Sequence, residues 1–97
     1  MDLKKVLIKC RVASEPNYKA TQGLKVATFD VGCHEGRITE FYHAEAFGNV
    51  ADFVNSTIRK GEKILIIGSL HQQRARTDDG RIVNEVIIIA QTIYILR

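Results

Sequence analysis

A predicted strand over Ile38–Phe47 combines aromatic rings with polar groups on one face. Because strand side chains alternate with period two, that face carries two rings and two polar groups, namely Phe41, His43, Glu45 and Phe47. The opposite face suits a core and carries Tyr42, Ala44 and Ala46. Exposed rings among polar groups can stack on the flat bases of a single-stranded nucleic acid. The alternative is that Phe41 and Phe47 pack under loops or against a second subunit.

Length and charge narrow the class of protein. The 97 residues are enough for one small barrel or sandwich, so residues 1–97 are expected to form a single domain. The formal charge of +3 favours a polyanionic partner. No apolar run approaches the roughly 20 residues of a membrane span, and MDLKKVLIKC is not a secretory signal because charges interrupt it. We therefore expect a cytoplasmic protein with no membrane partner.

Residues that could carry catalysis are absent at any convincing spacing. The three histidines His34, His43 and His71 lack metal-ligand spacing, and no phosphate loop or nucleophile elbow is present. Asp78-Asp79 precedes Gly80 and is better explained as turn chemistry. Cys10 and Cys33 have no CxxC spacing, and buried free thiols are favoured over a disulfide. The sequence therefore predicts no enzyme, no cofactor and no metal.

The periodicity predicts an all-β barrel of five strands with one short helix between the third and fourth strands. The helix is predicted from apolar residues at helical spacing within Asn49–Ile58. Turn signals lie at Ser14–Asn17, at Thr21–Gly23 and at Thr77–Gly80, the last closing a long hairpin. The five predicted strands are Leu3–Val12, Leu24–Cys33, Ile38–Phe47, Glu62–Arg76 and Arg81–Leu96.

Two strands are apolar on both faces. The runs 64–67 (ILII) and 86–89 (VIII) can fill the barrel with one face, but the other face needs a cover. A subunit interface is the simplest cover, with the helix or a loop as the alternative. The residues assigned to this interface are Ile64, Ile66, Ile87 and Ile89.

Four segments of the sequence, taken in order along the chain, resemble a known family. KKVLIKCRVASEPNYK, GLKVATFDVG, EFYHAEAFGNVADFVNSTIRKGEKILIIGSL and TDDGRIVNEVIIIA together resemble the OB-fold core of bacterial and phage single-stranded DNA-binding proteins over nearly the whole chain. The resemblance implies a five-stranded OB-fold barrel that binds single-stranded DNA without sequence preference. It also implies a homo-oligomer, with a tetramer expected and a dimer as the alternative.

The resemblance also assigns roles to individual residues. Phe41 and Phe47 stand where the family has stacking aromatics, and Tyr42 stands where it often has a histidine at a subunit contact. Basic positions that meet phosphates in the family correspond to Lys5, Lys19, Lys60 and Arg74. The expected nucleic-acid set is completed by the neighbouring outward or arm residues His43, Arg11 and Arg76.

Several departures from the family pattern predict weaker binding or a smaller footprint. The chain has no Trp, and the last stacking aromatic is replaced by Ala75 or Arg76. Glu45 lies between the two rings, where a carboxylate would repel phosphate. The sequence ends at Arg97 without the acidic tail through which such proteins recruit replication enzymes, so contacts with replication proteins are expected to lack that route.

The sequence is compatible with two functions. The first is sequence-independent binding and protection of single-stranded DNA in replication, recombination and repair. The second is a dimeric, primosomal-type OB-fold adaptor that acts mainly through protein contacts. An enzyme or an unrelated small-ligand barrel is the least favoured reading.

Overall fold

Six strands and one helix make up residues 5–97, the part of the chain that the computed structural model describes. In chain order they are β1 Lys5–Val12, β2 Asn17–Thr21, β3 Leu24–Glu35, β4 Ile38–Phe47, α1 Gly48–Thr57, β5 Lys63–Arg76 and β6 Ile82–Ile95. The predicted first strand began at Leu3, and its first two residues lie outside the described part.

Five of the strands pair in a closed ring. β1 pairs with β5, β5 with β6, β6 with β4, β4 with β3, and β3 returns to β1. Only the β4–β6 pair is parallel among these. This connectivity is that of a five-stranded OB-fold barrel with a helix between its third and fourth strands, so the predicted fold class is confirmed. The β1–β3 seam is short, with Arg11 opposite Gly32 and Val12 opposite Val31.

The sixth strand, β2, was not predicted, because only three residues separate the two turn signals that flank it. It forms a hairpin with β3 through Gln22 and Gly23, whose φ angles of 52° and 80° are both positive, as a type I′ turn requires. The Tyr18 hydroxyl and the Lys25 ammonium each donate a 2.8 Å hydrogen bond to the Asp52 carboxylate. These bonds hold the hairpin to α1.

The helix α1 begins and ends one residue earlier than predicted. Its residues Ala51 and Val54, with Ile58 just beyond its end, are fully buried in the core. That core also contains the inward side chains of all five ring strands, among them Val12, Phe29, Ala44, Ile66 and Ile88. Within residues 5–97 no helix has the length and apolar character needed to cross a membrane.

A β-bulge in the last hairpin changes which residues of β6 face inward. Ile67 pairs with Thr92 whereas Gly68 pairs with Ala90, so one extra residue lies in β6. A Cβ atom on residue 68 would lie 2.0 Å from the Ile89 carbonyl oxygen, so only glycine fits this close approach. The alternation of β6 is therefore inverted across the bulge.

The bulge and the core correct part of the predicted subunit interface. Ile64 and Ile66 are fully buried and Ile87 is 3 % exposed within a single chain, so their side chains cannot cover a partner. Four consecutive apolar residues give no alternation from which the inward phase can be read. The outward, half-buried members of the two runs are Leu65, Ile67 and Ile89. Both runs therefore have an outer apolar side, on which Ile89 keeps its predicted place while Leu65 and Ile67 lie where Ile64 and Ile66 were expected.

Candidate nucleic-acid interface

The outer face of β4 carries the two predicted rings. Phe41 is 69 % exposed and Phe47 is 41 % exposed, while Ala44 and Ala46 are fully buried on the inner face. The predicted phase of this strand is therefore confirmed. The two rings are six positions apart in the sequence, which corresponds to about 20 Å along a strand.

Phe41 is one end of a row of residues that crosses four strands. Lys63 of β5 pairs with Arg11 of β1, Arg11 pairs with Gly32 of β3, and Gly32 pairs with Phe41 of β4. The Arg11 guanidinium donates a 2.6 Å hydrogen bond to the Gly61 carbonyl oxygen, which fixes its position. We call these four residues the Phe41 row.

The Phe41 row borders an open groove of about 630 Å³. Its lining places three cations near one aromatic ring, namely Lys9, Arg11 and Lys63. His34 and Thr39 line the same groove and are joined by a 2.9 Å hydrogen bond. None of the three cations forms an ion pair with a carboxylate among residues 5–97. Their charge is therefore available to phosphate.

Four groove residues were missed by the sequence analysis: Lys9, Lys63, His34 and Thr39. Lys9 could have been predicted, because alternation along the first strand directs it outward together with Lys5 and Arg11. Lys63 could not have been predicted, since its position beside Arg11 depends on the pairing of β1 with β5.

A second row ends at the other ring. Lys19 of β2 pairs with Val26 of β3, and Val26 pairs with Phe47 of β4. A shallower groove of about 360 Å³ runs along this end and is lined by Lys19, Leu24 and Val26 among others. The predicted binding residues Lys19 and Phe47 are thus two strands apart on the same face.

Between the two rows the face is acidic. The Nδ1 atom of His43 lies 3.0 Å from Asp30 Oδ1, and its Nε2 atom lies 3.9 Å from Glu45 Oε2. Glu45 and His43 therefore occupy the positions between the rings that alternation predicted. Two aromatic and cationic ends flank a centre in which carboxylates would oppose a phosphate.

The structure does not bring every predicted cation to this face. Lys5 lies at the other end of β1, about 20 Å from Arg11. Arg74 and Arg76 lie where β5 and β6 extend as a two-stranded arm, on the side opposite to that of Ala75 and Val83. Lys60 lies in the turn after α1, and its backbone N–H donates to the Glu15 carboxylate at 2.9 Å.

Tyr42 points to the inner side of β4 rather than to this face. Its hydroxyl donates to the Glu40 carboxylate at 2.5 Å, and this hydrogen bond raises the pKa of the Tyr42 phenol. The side chain is half-buried and packs against the core. A role at a subunit contact stays a prediction. Within residues 5–97 no three His, Cys, Asp or Glu side chains group as metal ligands.

Comparisons with known proteins support the fold and a family. The family described as "Single-strand binding protein family" matches residues 3–96. A Plasmodium falciparum SSB in complex with ssDNA superposes with a TM-score of 0.85 at 24 % identity, covering 100 % of this chain and 97 % of that one. A small single-stranded DNA-binding protein from Streptomyces coelicolor gives 0.87 at 16 % identity, covering 99 % and 96 %. The comparison with curated proteins found no match.

Proposed function

Because this chain belongs to the single-strand binding protein family, we propose that it binds single-stranded DNA without sequence preference through the outer face of β4 and the strands beside it. The Phe41 row carries this proposal, because it joins one exposed ring to cations that form no ion pair with a carboxylate in the described part of the chain. Proteins of this family are not enzymes, which agrees with the sequence-based prediction.

Two kinds of contact contribute to the proposed binding of single-stranded DNA. Phe41 and Phe47 supply rings on which any base can stack, which gives affinity without reading base edges. Lys9, Arg11 and Lys63 supply the positive charge that neutralises phosphates and releases counterions. The acidic centre formed by Asp30 and Glu45 separates the two ends, which supports a small footprint.

The cellular role that fits such binding is protection of exposed single strands during replication, recombination and repair. Residues 1–97 would act as one domain in the cytoplasm, where free thiols at Cys10 and Cys33 persist. We also propose, as a secondary role, that the protein contacts replication proteins.

A second copy of the chain is the partner that the outer face of β1, β5 and β6 favours. Leu7 of β1 pairs with Ile67 of β5, and Leu65 of β5 pairs with Tyr94 of β6. Leu7 is 67 % exposed and Tyr94 is 53 % exposed, so an apolar surface faces outward on three adjacent strands. We name these four residues the outer apolar patch and propose that it joins subunits in a homo-oligomer, with a tetramer expected and a dimer as the alternative.

The single-strand function is tested with fluorescently labelled oligo-dT. Phe41→Ala and Phe47→Ala should each weaken binding by about 1–3 kcal/mol, because each removes a stacking surface. Phe53→Ala is the matched control, since Phe53 is a partly exposed phenylalanine on α1 and off the proposed face. Wild-type affinity in both β4 variants, with the fold and the oligomer intact, would favour the adaptor function.

A further inference from the structure

Cys10 and Cys33 face each other at the seam where the barrel closes. Arg11 lies opposite Gly32, and antiparallel register therefore sets Cys10 opposite Cys33 at the next position. Both thiols are free; Cys10 is buried and Cys33 is half-buried. The two residues come from strands that are distant in sequence, so only the seam brings them together.

Their position in the ladder favours close side chains. The Ala13 N–H donates to the Asp30 carbonyl oxygen at 2.7 Å, whereas the Val12 N–H donates to the Glu62 carbonyl oxygen on the other side, so the odd-numbered residues of β1 direct their backbone groups toward β3. Pairs alternate along an antiparallel ladder, so Cys10 and Cys33 occupy a non-hydrogen-bonded position, where Cα atoms are typically about 4.5 Å apart. That spacing lies within the range of about 4.4–6.8 Å that disulfides span.

The two thiols also affect each other's ionisation. Burial, together with the neighbouring Cys33 thiol, raises the pKa of the Cys10 thiol to about 12. Burial also raises the pKa of the Cys33 thiol, but its interaction with Cys10 opposes that shift. Cys33 is therefore the thiol that ionises first.

A small reagent can reach Cys33 from solvent. Cys33 lines a cavity of about 280 Å³ together with Ile8, Tyr42 and Leu70. Cys10 does not line this cavity and is only 6 % exposed. This arrangement suits attack on an oxidant at Cys33, followed by resolution by Cys10.

We propose that Cys10 and Cys33 form an intramolecular disulfide when the protein meets hydrogen peroxide, and that this bond locks the β1–β3 seam. The Cys33 thiolate attacks a peroxide oxygen, the O–O bond breaks, and the Cys33 sulfur becomes a sulfenic acid. The departing hydroxide takes up the proton released by the Cys33 thiol and leaves as water.

The Cys10 sulfur then attacks the Cys33 sulfur, the S–O bond breaks, and hydroxide leaves with the Cys10 proton as a second water. Two thiols lose two electrons in total, and one hydrogen peroxide is reduced to two waters. The bond adds a covalent tie to a seam that otherwise contains two paired positions.

The first test treats purified wild-type protein with hydrogen peroxide, quenches the reaction, and alkylates under denaturing conditions. The expected product has lost two hydrogens and accepts no alkyl group, and a reductant restores both alkylation sites. Trypsin, which cuts after Lys9, Arg11, Lys25 and Arg37, should then release a linked pair of peptides, 10–11 with 26–37. Faster oxidation at pH 9 than at pH 7 is expected, because Cys33 must ionise.

Thermal unfolding supplies the second measurement. The oxidised protein should melt roughly 10 °C higher than the reduced one, because the bond restricts the unfolded chain between the two cysteines. Cys33→Ser and Cys10→Ala are the controls, and peroxide should raise the melting temperature of neither. Unchanged mass, a disulfide between two chains, or sulfinic acid without the linked peptides would each overturn the proposal.

Discussion

The ring of Phe41 lies against Gly32, with Phe41 Cε1 3.2 Å from the position that a Cβ atom of residue 32 would occupy. No larger residue would leave the ring in this place without a shift of a few tenths of an ångström. Gly32 therefore positions the more exposed of the two proposed stacking rings, and it does so from a neighbouring strand.

Gly32→Ala should weaken binding to oligo-dT, by less than Phe41→Ala does, because the added methyl group displaces the ring without removing it. Fluorescence anisotropy on single and double variants measures this. In the Phe41→Ala background the Gly32→Ala effect should vanish, since no ring remains to be moved. An equal loss in both backgrounds would mean that the methyl group acts on the seam and not through Phe41.

Lys63→Gln should flatten the salt dependence of binding. Each lost phosphate contact reduces the slope of log affinity against log salt by about 0.7 for a single strand. Lys5→Gln removes the same charge at the other end of β1 and should leave the slope unchanged. Equal slopes for the two variants would show that position relative to the Phe41 row does not matter.

Glu45→Gln should tighten binding by a few tenths to about 1 kcal/mol, because it removes a carboxylate between the two rings. Titrations at low salt are the most sensitive measurement, since salt screens the repulsion. Glu35→Gln removes the same charge from a residue that lines the cavity beside Cys33, and it is the control. A weaker Glu45→Gln complex would contradict an acidic centre that opposes phosphate.

Asp52→Asn should lower the melting temperature at neutral pH and have little effect in acid. Hydrogen bonds from Lys25 and then Tyr18 lower the pKa of the Asp52 carboxyl. Its contribution to stability is therefore present above the unfolded-state pKa of about 3.9 and is lost as the pH falls through the lower folded-state pKa.

Melting temperatures of wild type and Asp52→Asn, measured from neutral pH into acid, should converge once the pH has fallen below the folded-state pKa of Asp52. Asp78→Asn removes a carboxylate that makes no hydrogen bond within the described residues, and its difference from wild type should not follow this course. A constant offset for Asp52→Asn at all pH values would contradict an ionised anchor between α1 and the β2–β3 hairpin.

Leu7→Lys should reduce the molar mass measured by light scattering, because a charge in the outer apolar patch must be desolvated when subunits join. Leu24→Lys is the matched control, since Leu24 is 60 % exposed and lies off this patch. A monomeric wild-type protein at micromolar concentration would end the oligomer proposal, and an unchanged mass for Leu7→Lys would move the interface elsewhere.

The outward position of the aromatic rings could be predicted from the sequence, because the other residues of the same strand show which side faces the core. In β4 the small residues Ala44 and Ala46 mark the inward side, so the outward position of Phe41 follows from local alternation. No such reference exists in the isoleucine-rich runs, and the bulge at Gly68 inverts the alternation of β6. The assignment of Ile64 and Ile66 to an interface failed for this reason.

The sequence by itself determined five of the six strands, the helix, the turns and the outward phase of Phe41 and Phe47 on β4, because each depends on residues that are close along the chain. Only the tertiary structure decided that Lys63, Arg11 and Gly32 form a row with Phe41, and that Cys10 meets Cys33. These neighbours depend on which strands pair and in which register. Strand pairing and register are decided by burial of the whole core, and they cannot be deduced from side-chain periodicity within one strand.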